Sequence, residues 1–219
     1  MTVDSEEIRK DRKQTSSDIN QIIADKLKRS KRVKITGLTG HNNIAVGLDM
    51  ECEINISGQA GDLLGAFNNG AILLMDGSCG DLAGDTLLKG GIIIIGNCGR
   101  RTGASIQNGI VVVKGNCGAQ AGIGMEGGTL IIDGNVDGDL APHMADGTII
   151  VTGNVKGGIC PDSTGGTIFV GGEIGSGLEN VEKVETTSKD STKLSKYFDH
   201  YGISAVPSTI RKYRAGVLL

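Results

Sequence analysis

The chain has 219 residues with 36 glycines, 3 prolines, no tryptophan and a formal charge of −3. That composition excludes collagen and proline-rich disorder, and it leaves no basic excess for phosphate-dominated nucleic-acid binding. No stretch approaches the roughly 20 apolar residues of a membrane span, the opening MTVDSEEIRKDRKQ has no apolar signal core, and 5 cysteines without paired spacing argue against a disulfide framework or a zinc site, so a cytoplasmic protein with no nucleic-acid or membrane partner is expected.

Residues 1–32 read as a flexible N-terminus, disordered through residue 14, followed by an amphipathic helix. SSDINQIIADKLKRSKR puts Ile19, Ile22, Ile23 and Leu27 on one stripe, with Ser16 or Ser17 as N-cap. The basic run Lys26, Lys28, Arg29, Lys31, Arg32 and Lys34 reads as a solvated helix end.

Residues 33–178 are periodic. Gly58, Gly77, Gly96, Gly115, Gly134, Gly153 and Gly172 recur every 19 residues. A second register, Gly61, Gly80, Gly99, Gly118 and Gly175, follows three residues on, and a third, Gly65, Gly84, Gly103 and Gly122, four beyond that. Each GxxGxxxG unit follows a short β-prone run such as AILLM, GIIII or TIIV. Runs this short cannot bury a face alone, so they should stack as parallel strands, one per coil. The predicted fold is all-β: a single-stranded β-helix of about seven coils with short helical extensions. Two columns are apolar in every coil, Ile54, Leu73, Ile92, Val111, Leu130, Ile149, Ile168 and Ile56, Met75, Ile94, Val113, Ile132, Val151, Val170, and their spacing of two assigns them to the core.

One column between them faces outward yet is apolar: Leu74, Ile93, Val112, Ile131, Ile150 and Phe169, with Asn55 at its start. Such a stripe requires a cover, either the chain's own tails or another protein. It is the candidate docking surface. Residues 179–219 supply a polar linker and a helical docking tail, in which Ser191 is expected to cap a helix carrying Leu194, Tyr197, Phe198 and Tyr201, with Gly202 near its end.

Residues with chemical potential are few. Cys79, Cys98 and Cys117 share a column with Ala60, Val136, Val155 and Ile174, none of which can ligate a metal, so the cysteines read as small buried hydrophobes. Asn97, Asn116, Asn135 and Asn154 form a turn column suited to hydrogen bonding between coils. His143 and Asp146 would be the base and orienting carboxylate of an independent enzyme, although a loop histidine beside proline reads first as a surface group. Arg100 and Arg101 could grip an anion, but Asp81, one coil below Arg100, suggests a cross-coil ion pair. The glycines are read as serving turns, and no catalytic, cofactor-binding or metal-binding residue is assigned. A hexapeptide acyltransferase is rejected because 19 is not a multiple of six.

SGQAGDLLGAF at residues 57–67, followed by GSCGDLAG and GNCGRRTG and preceded by HNNIAVGL, resembles the GxGxG domain that ends the large subunit of glutamate synthase, including its stand-alone versions. The resemblance implies a right-handed β-helix without catalytic residues. That helix would hold an amidotransferase and an FMN and iron–sulfur synthase that convert glutamine nitrogen and 2-oxoglutarate to glutamate. Cofactors would then reside in those partner subunits and not in this chain, and homo-oligomers are possible. MEGGTLIIDGN and MADGTIIVTGN also resemble the β-helical subunit of formylmethanofuran dehydrogenase, a tungsten or molybdenum enzyme, which is the alternative assembly. Pro142 and His143, and Cys160 at a third-register position, depart from the pattern.

Overall fold

The structure, a computed structural model, describes residues 6–9 through their backbone and residues 14–178 and 180–216 in full. The runs between glycines form strands β1 (Glu6–Arg9), β2 (Arg32–His41), β3 (Glu53–Ala60), β4 (Asn69–Asp76), β5 (Lys89–Ile94), β6 (Ile110–Val113), β7 (Cys117–Gly118), β8 (Glu126–Ile132), β9 (Val136–Asp137), β10 (Asp146–Val151) and β11 (Thr167–Val170). All except β7 and β9 stack in parallel, with Ile54, Leu73, Ile92, Val111, Leu130, Ile149 and Ile168 in register. Both predicted core columns are buried throughout. Pairing of β7 with β9, together with bridges Cys98–Cys117, Val136–Val155 and Val155–Ile174, stacks a second side of each coil, and Ala121–Leu140–Ile159 stacks a third. The result is a β-solenoid of about seven turns with coils about 19 residues apart.

Helix α1 (Ser16–Leu27) closes the first end by burying Ile19, Ile23 and Leu27 against the core. Its cap is Thr15 rather than either serine. Thr15 Oγ1 accepts from the Asp18 N–H at 3.2 Å and the Asp18 carboxylate accepts from the Thr15 N–H at 2.8 Å, a capping box. Asn20 fixes the helix to the first turn, donating to the Asn43 carbonyl at 2.6 Å and accepting from the Ala45 N–H at 2.9 Å. Part of the stretch expected to be disordered is ordered: β1 extends the stack by pairing in parallel with β2. Residues 1–5 and 10–13 of that expectation lie outside the described residues. In the basic run, Lys28 pairs with Asp25 at 2.7 Å and Arg32 with Glu53 at 3.1 Å.

At the far end the parallel order stops. Strand β12 (Val181–Val184) and, after helix α2 (Ser188–Tyr201), strand β13 (Arg211–Ala215) add antiparallel strands in the order β11, β13, β12. The linker expected at 179–219 therefore contains strands, and β13 buries Tyr213 and Ala215 over the last coil. Helix α2 is capped by Thr187, three residues before Asp190 and four before the expected Ser191, and Gly202 ends it at φ 61°, a left-handed C-cap.

The glycines have two different tasks, which corrects their reading as turn residues alone. In the first register, Asn97, Asn116, Asn135 and Asn154 each accept through Oδ1 the backbone N–H one coil on, at 2.7–2.8 Å. A Cβ at Gly134 would lie 2.8 Å from Asn116 Oδ1 and 2.5 Å from the Gly115 carbonyl oxygen. Neither Gly134 nor Gly153 has a positive φ, so what these positions require is space. The second register repeats the device with Asn42, Asp62 and Asp81, which accept from Asp62, Asp81 and Arg100 N–H groups at 2.7–2.9 Å. The third register needs left-handed backbone at each of its glycines, with φ of 63–71° at Gly65, Gly84, Gly103 and Gly122, while in the first register Gly58 and Gly77 also hold positive φ, 118° and 142°. Ala141 and Cys160 hold the same conformation at φ 57° and 55°, so the departures in the later coils preserve the turn with a strained non-glycine residue.

Candidate docking surface

The outward column divides into two parts. Val112, Ile131, Ile150 and Phe169 are buried, Ile93 is half-buried, and Leu74 is 38% exposed. The cover over the buried part is α2, whose Leu194 and Phe198 form a second core with these residues, joined by Ile203 and Ile210 and flanked by Tyr197 and Tyr201. Amphipathic spacing explains the choice: the apolar side of α2 recurs at three and four residues and meets an apolar column of the sheet.

Polar contacts set the position of α2. Near its start, the Asp190 carboxylate accepts from Lys212 Nζ at 2.9 Å, and the same ammonium lies 5.8 Å from the Phe169 ring centre. Burial works against the Asp190 carboxylate, but the Thr187 hydrogen bonds and Lys212 prevail and hold it below the usual carboxylate range. One turn on, Lys193 Nζ donates to Thr148 Oγ1 at 3.3 Å. At its end, Lys114 Nζ donates to the Gly202 carbonyl at 2.8 Å while paired with Asp133 at 2.7 Å, a cation where the helix dipole favours one. The helix thus runs from the level of β11 back to that of β6, where cover ends.

Beyond that point the same face is open. Ile72 is 43% and Ile95 48% exposed, and they flank Leu74 of β4 and Ile93 of β5. A hollow of about 210 Å3 lined by Lys34, Asn55, Ser57, Leu74 and Asp76 borders this patch, because Asn55 and Ser57 are small where the following coils carry larger side chains. Met50, Phe67 and Leu88 are further exposed apolar side chains of the early coils.

The other candidates do not assemble into a catalytic group. Asp146 Oδ1 accepts from the Gly147 N–H at 2.7 Å, and His143 stands exposed on a left-handed turn at φ 57°; no hydrogen bond joins the two among the described residues. Asp81 accepts the backbone N–H of Arg100, not its guanidinium, and Arg101 Nε donates to Gln120 Oε1 at 2.9 Å, which replaces the expected ion pair by the turn ladder. Cys79 and Cys98 are buried with sulfurs 3.1 Å apart. The neighbouring thiol and burial push the Cys79 thiol up, and its neighbour Cys117 with burial does the same for Cys98, so both stay neutral and poorly nucleophilic. Burial pushes Cys160 up to about 12. Among the described residues no group of three or more His, Cys, Asp or Glu is placed to hold a metal ion, and no helix is long and apolar enough to cross a membrane.

Fold and surface together define a β-solenoid whose outward sheet face is covered by its own tail over one part and bare over the other. The chain belongs to the GXGXG motif family, whose model matches residues 5–214. No curated protein matches it.

Proposed function

We propose that this chain is the structural, non-catalytic subunit of a glutamate-synthase-like assembly, holding an amidotransferase subunit and an FMN and iron–sulfur synthase subunit in the cytoplasm. The observation that carries the reading is the bare apolar patch of Ile72, Leu74 and Ile95, with half-buried Ile93 between it and the covered cluster, on the coil stack. An exposed contiguous apolar surface marks an interaction site, and membership of the GXGXG motif family supports a glutamate-synthase-like assembly as its setting. In this reading the chemistry belongs to the partners: one releases ammonia from glutamine, the other reduces the adduct of ammonia and 2-oxoglutarate.

Purified chain assayed alone for glutaminase and glutamate formation tests the reading, followed by the same assay after mixing with the two partner polypeptides. No turnover by the chain alone, and coupled turnover that requires the chain in the mixture, is the expected result. Robust turnover by the isolated chain overturns it.

A further inference from the structure

We infer that the bare patch on β4 and β5 is the seat of an amphipathic α-helix from a partner polypeptide, laid end to end with α2. This deepens the assembly reading and rests on it.

Three observations select that occupant. First, the patch continues the column that α2 already covers: Val112, Ile131, Ile150 and Phe169 lie beneath Leu194 and Phe198, Ile93 packs half-buried at the edge of that cluster, and Leu74 is the next residue of the same column. A face that accepts a helix with apolar residues at i, i+3, i+4 and i+7 presents the same chemistry one and two coils on.

Second, α2 makes a step. A packed helix is about 10 Å thick, so the open coils lie recessed beyond the end of α2, which Lys114 pins at Gly202. A flat partner face would be held off the floor of this recess, whereas a helix of equal thickness lies flush with α2.

Third, a second copy of the chain fits poorly. The patch covers on the order of 200 Å2, taking three outward positions along the strand and two coils, against roughly 800 Å2 per partner in a stable dimer. Two copies packed face to face would also set the solvent side of one α2 on the patch of the other. That side carries Lys189 and Lys196, and lysines over Ile72 and Leu74 would lose solvation, which Asp76 at the edge of the patch can offset for one of them.

The test uses the full chain, with Ile, Leu and Val methyl groups labelled for NMR, and a synthetic peptide of residues 187–203 as a helix of the right pattern. The expected result is a saturable shift of the Ile72, Leu74, Ile93 and Ile95 methyl signals with a Kd of roughly 0.1–1 mM, weak because a free peptide of this length must pay for helix formation. The Val112, Ile131 and Ile150 signals should stay in place. Leu74→Asp, at an exposed position, should abolish the shift while leaving the circular dichroism unchanged. The inference is overturned by absence of shifts up to 2 mM peptide (about twice the weakest expected Kd), by shifts confined to the tail-covered methyls, or by patch shifts that follow the chain's own concentration without peptide. Because the probe is independent of the glutamate reaction, failed reconstitution with peptide binding intact would remove the assembly's identity and leave the helix seat standing.

Discussion

Replacing Gly153 by alanine tests the ladder that holds the coils in register. Gly153 has no positive φ, so a methyl group adds no backbone strain and its whole cost comes from space. The new Cβ would overlap Asn135 Oδ1 and lie 2.6 Å from the Gly134 carbonyl oxygen and 2.8 Å from its carbon. Relief requires moving Asn135, which breaks its 2.8 Å hydrogen bond from the Asn154 N–H, or parting the coils. The broken bond costs about 1 kcal/mol and the overpacking about 1–3 kcal/mol, giving roughly 3 kcal/mol in all. For a chain of this size that corresponds to a Tm lower by about 6–12 °C. Gly47→Ala is the control: φ there is +68° with nothing within 4 Å of the added Cβ, and it should cost only the left-handed penalty of about 1–2 kcal/mol. Urea unfolding followed by circular dichroism, with a check that the m-value is unchanged, measures both. In Asn135→Ala/Gly153→Ala the hydrogen bond is lost once and the overlap with Asn135 Oδ1 is absent, so the pair should fall short of additivity by at least about 1 kcal/mol. A Gly153→Ala cost below about 0.5 kcal/mol, or strict additivity of the pair, would rule out crowding as the reason for the glycine register.

Ile131→Asp and Ile150→Asp should leave the coils folded but release α2, since each puts a carboxylate under Leu194 and Phe198; amide exchange confined to 187–203 reads the release, and a protected α2 would contradict it. Lys114→Met should loosen the end of α2 first, raising exchange at Tyr201 and Gly202 by about three- to tenfold, the equivalent of about 1 kcal/mol. Acid should release the tail before it melts the stack. The Asp190 pKa is lowered in the folded chain, so its contribution is fully present above the unfolded value of about 4 and is lost as pH falls through the lowered value. Asp190→Asn should flatten that response in an exchange series from about pH 5 to about pH 2.5. Buried, neutral thiols should resist an aromatic disulfide reagent at about pH 8 in the native chain and react fully in denaturant; rapid native reaction of Cys79 or Cys98 would contradict their burial.

The periodic part of the fold was legible because its physical causes are local. Alternation of two within a repeat of 19 identifies Ile54 and Ile56 and all their equivalents as core, and every one of them is buried. The glycine task was only half legible, since a turn glycine and a glycine vacated for a neighbour's Oδ1 are the same letter; the Asn column one residue on was the clue. The caps at Thr15 and Thr187 were legible in principle, as each stands three residues before an aspartate, Asp18 and Asp190. Strands β12 and β13 were not, because VEKV and RKYRA are short and charged and acquire strand form only from the coil end they close. The division of the outward stripe lay furthest from the sequence. Nothing in Leu74 and Ile131 as residues distinguishes the bare from the covered position; the length of α2 and its pin at Lys114 decide it.

Whether the bare patch holds the assembly together is decided by co-expressing this chain with the amidotransferase and synthase polypeptides, followed by size-exclusion chromatography and a glutamate-formation assay. The wild-type chain should give one complex with coupled activity, and Ile72→Asp/Leu74→Asp should lose both although the variant remains folded. An intact, active complex in the variant, or glutamate formation by the wild-type chain alone, would contradict the scaffold role.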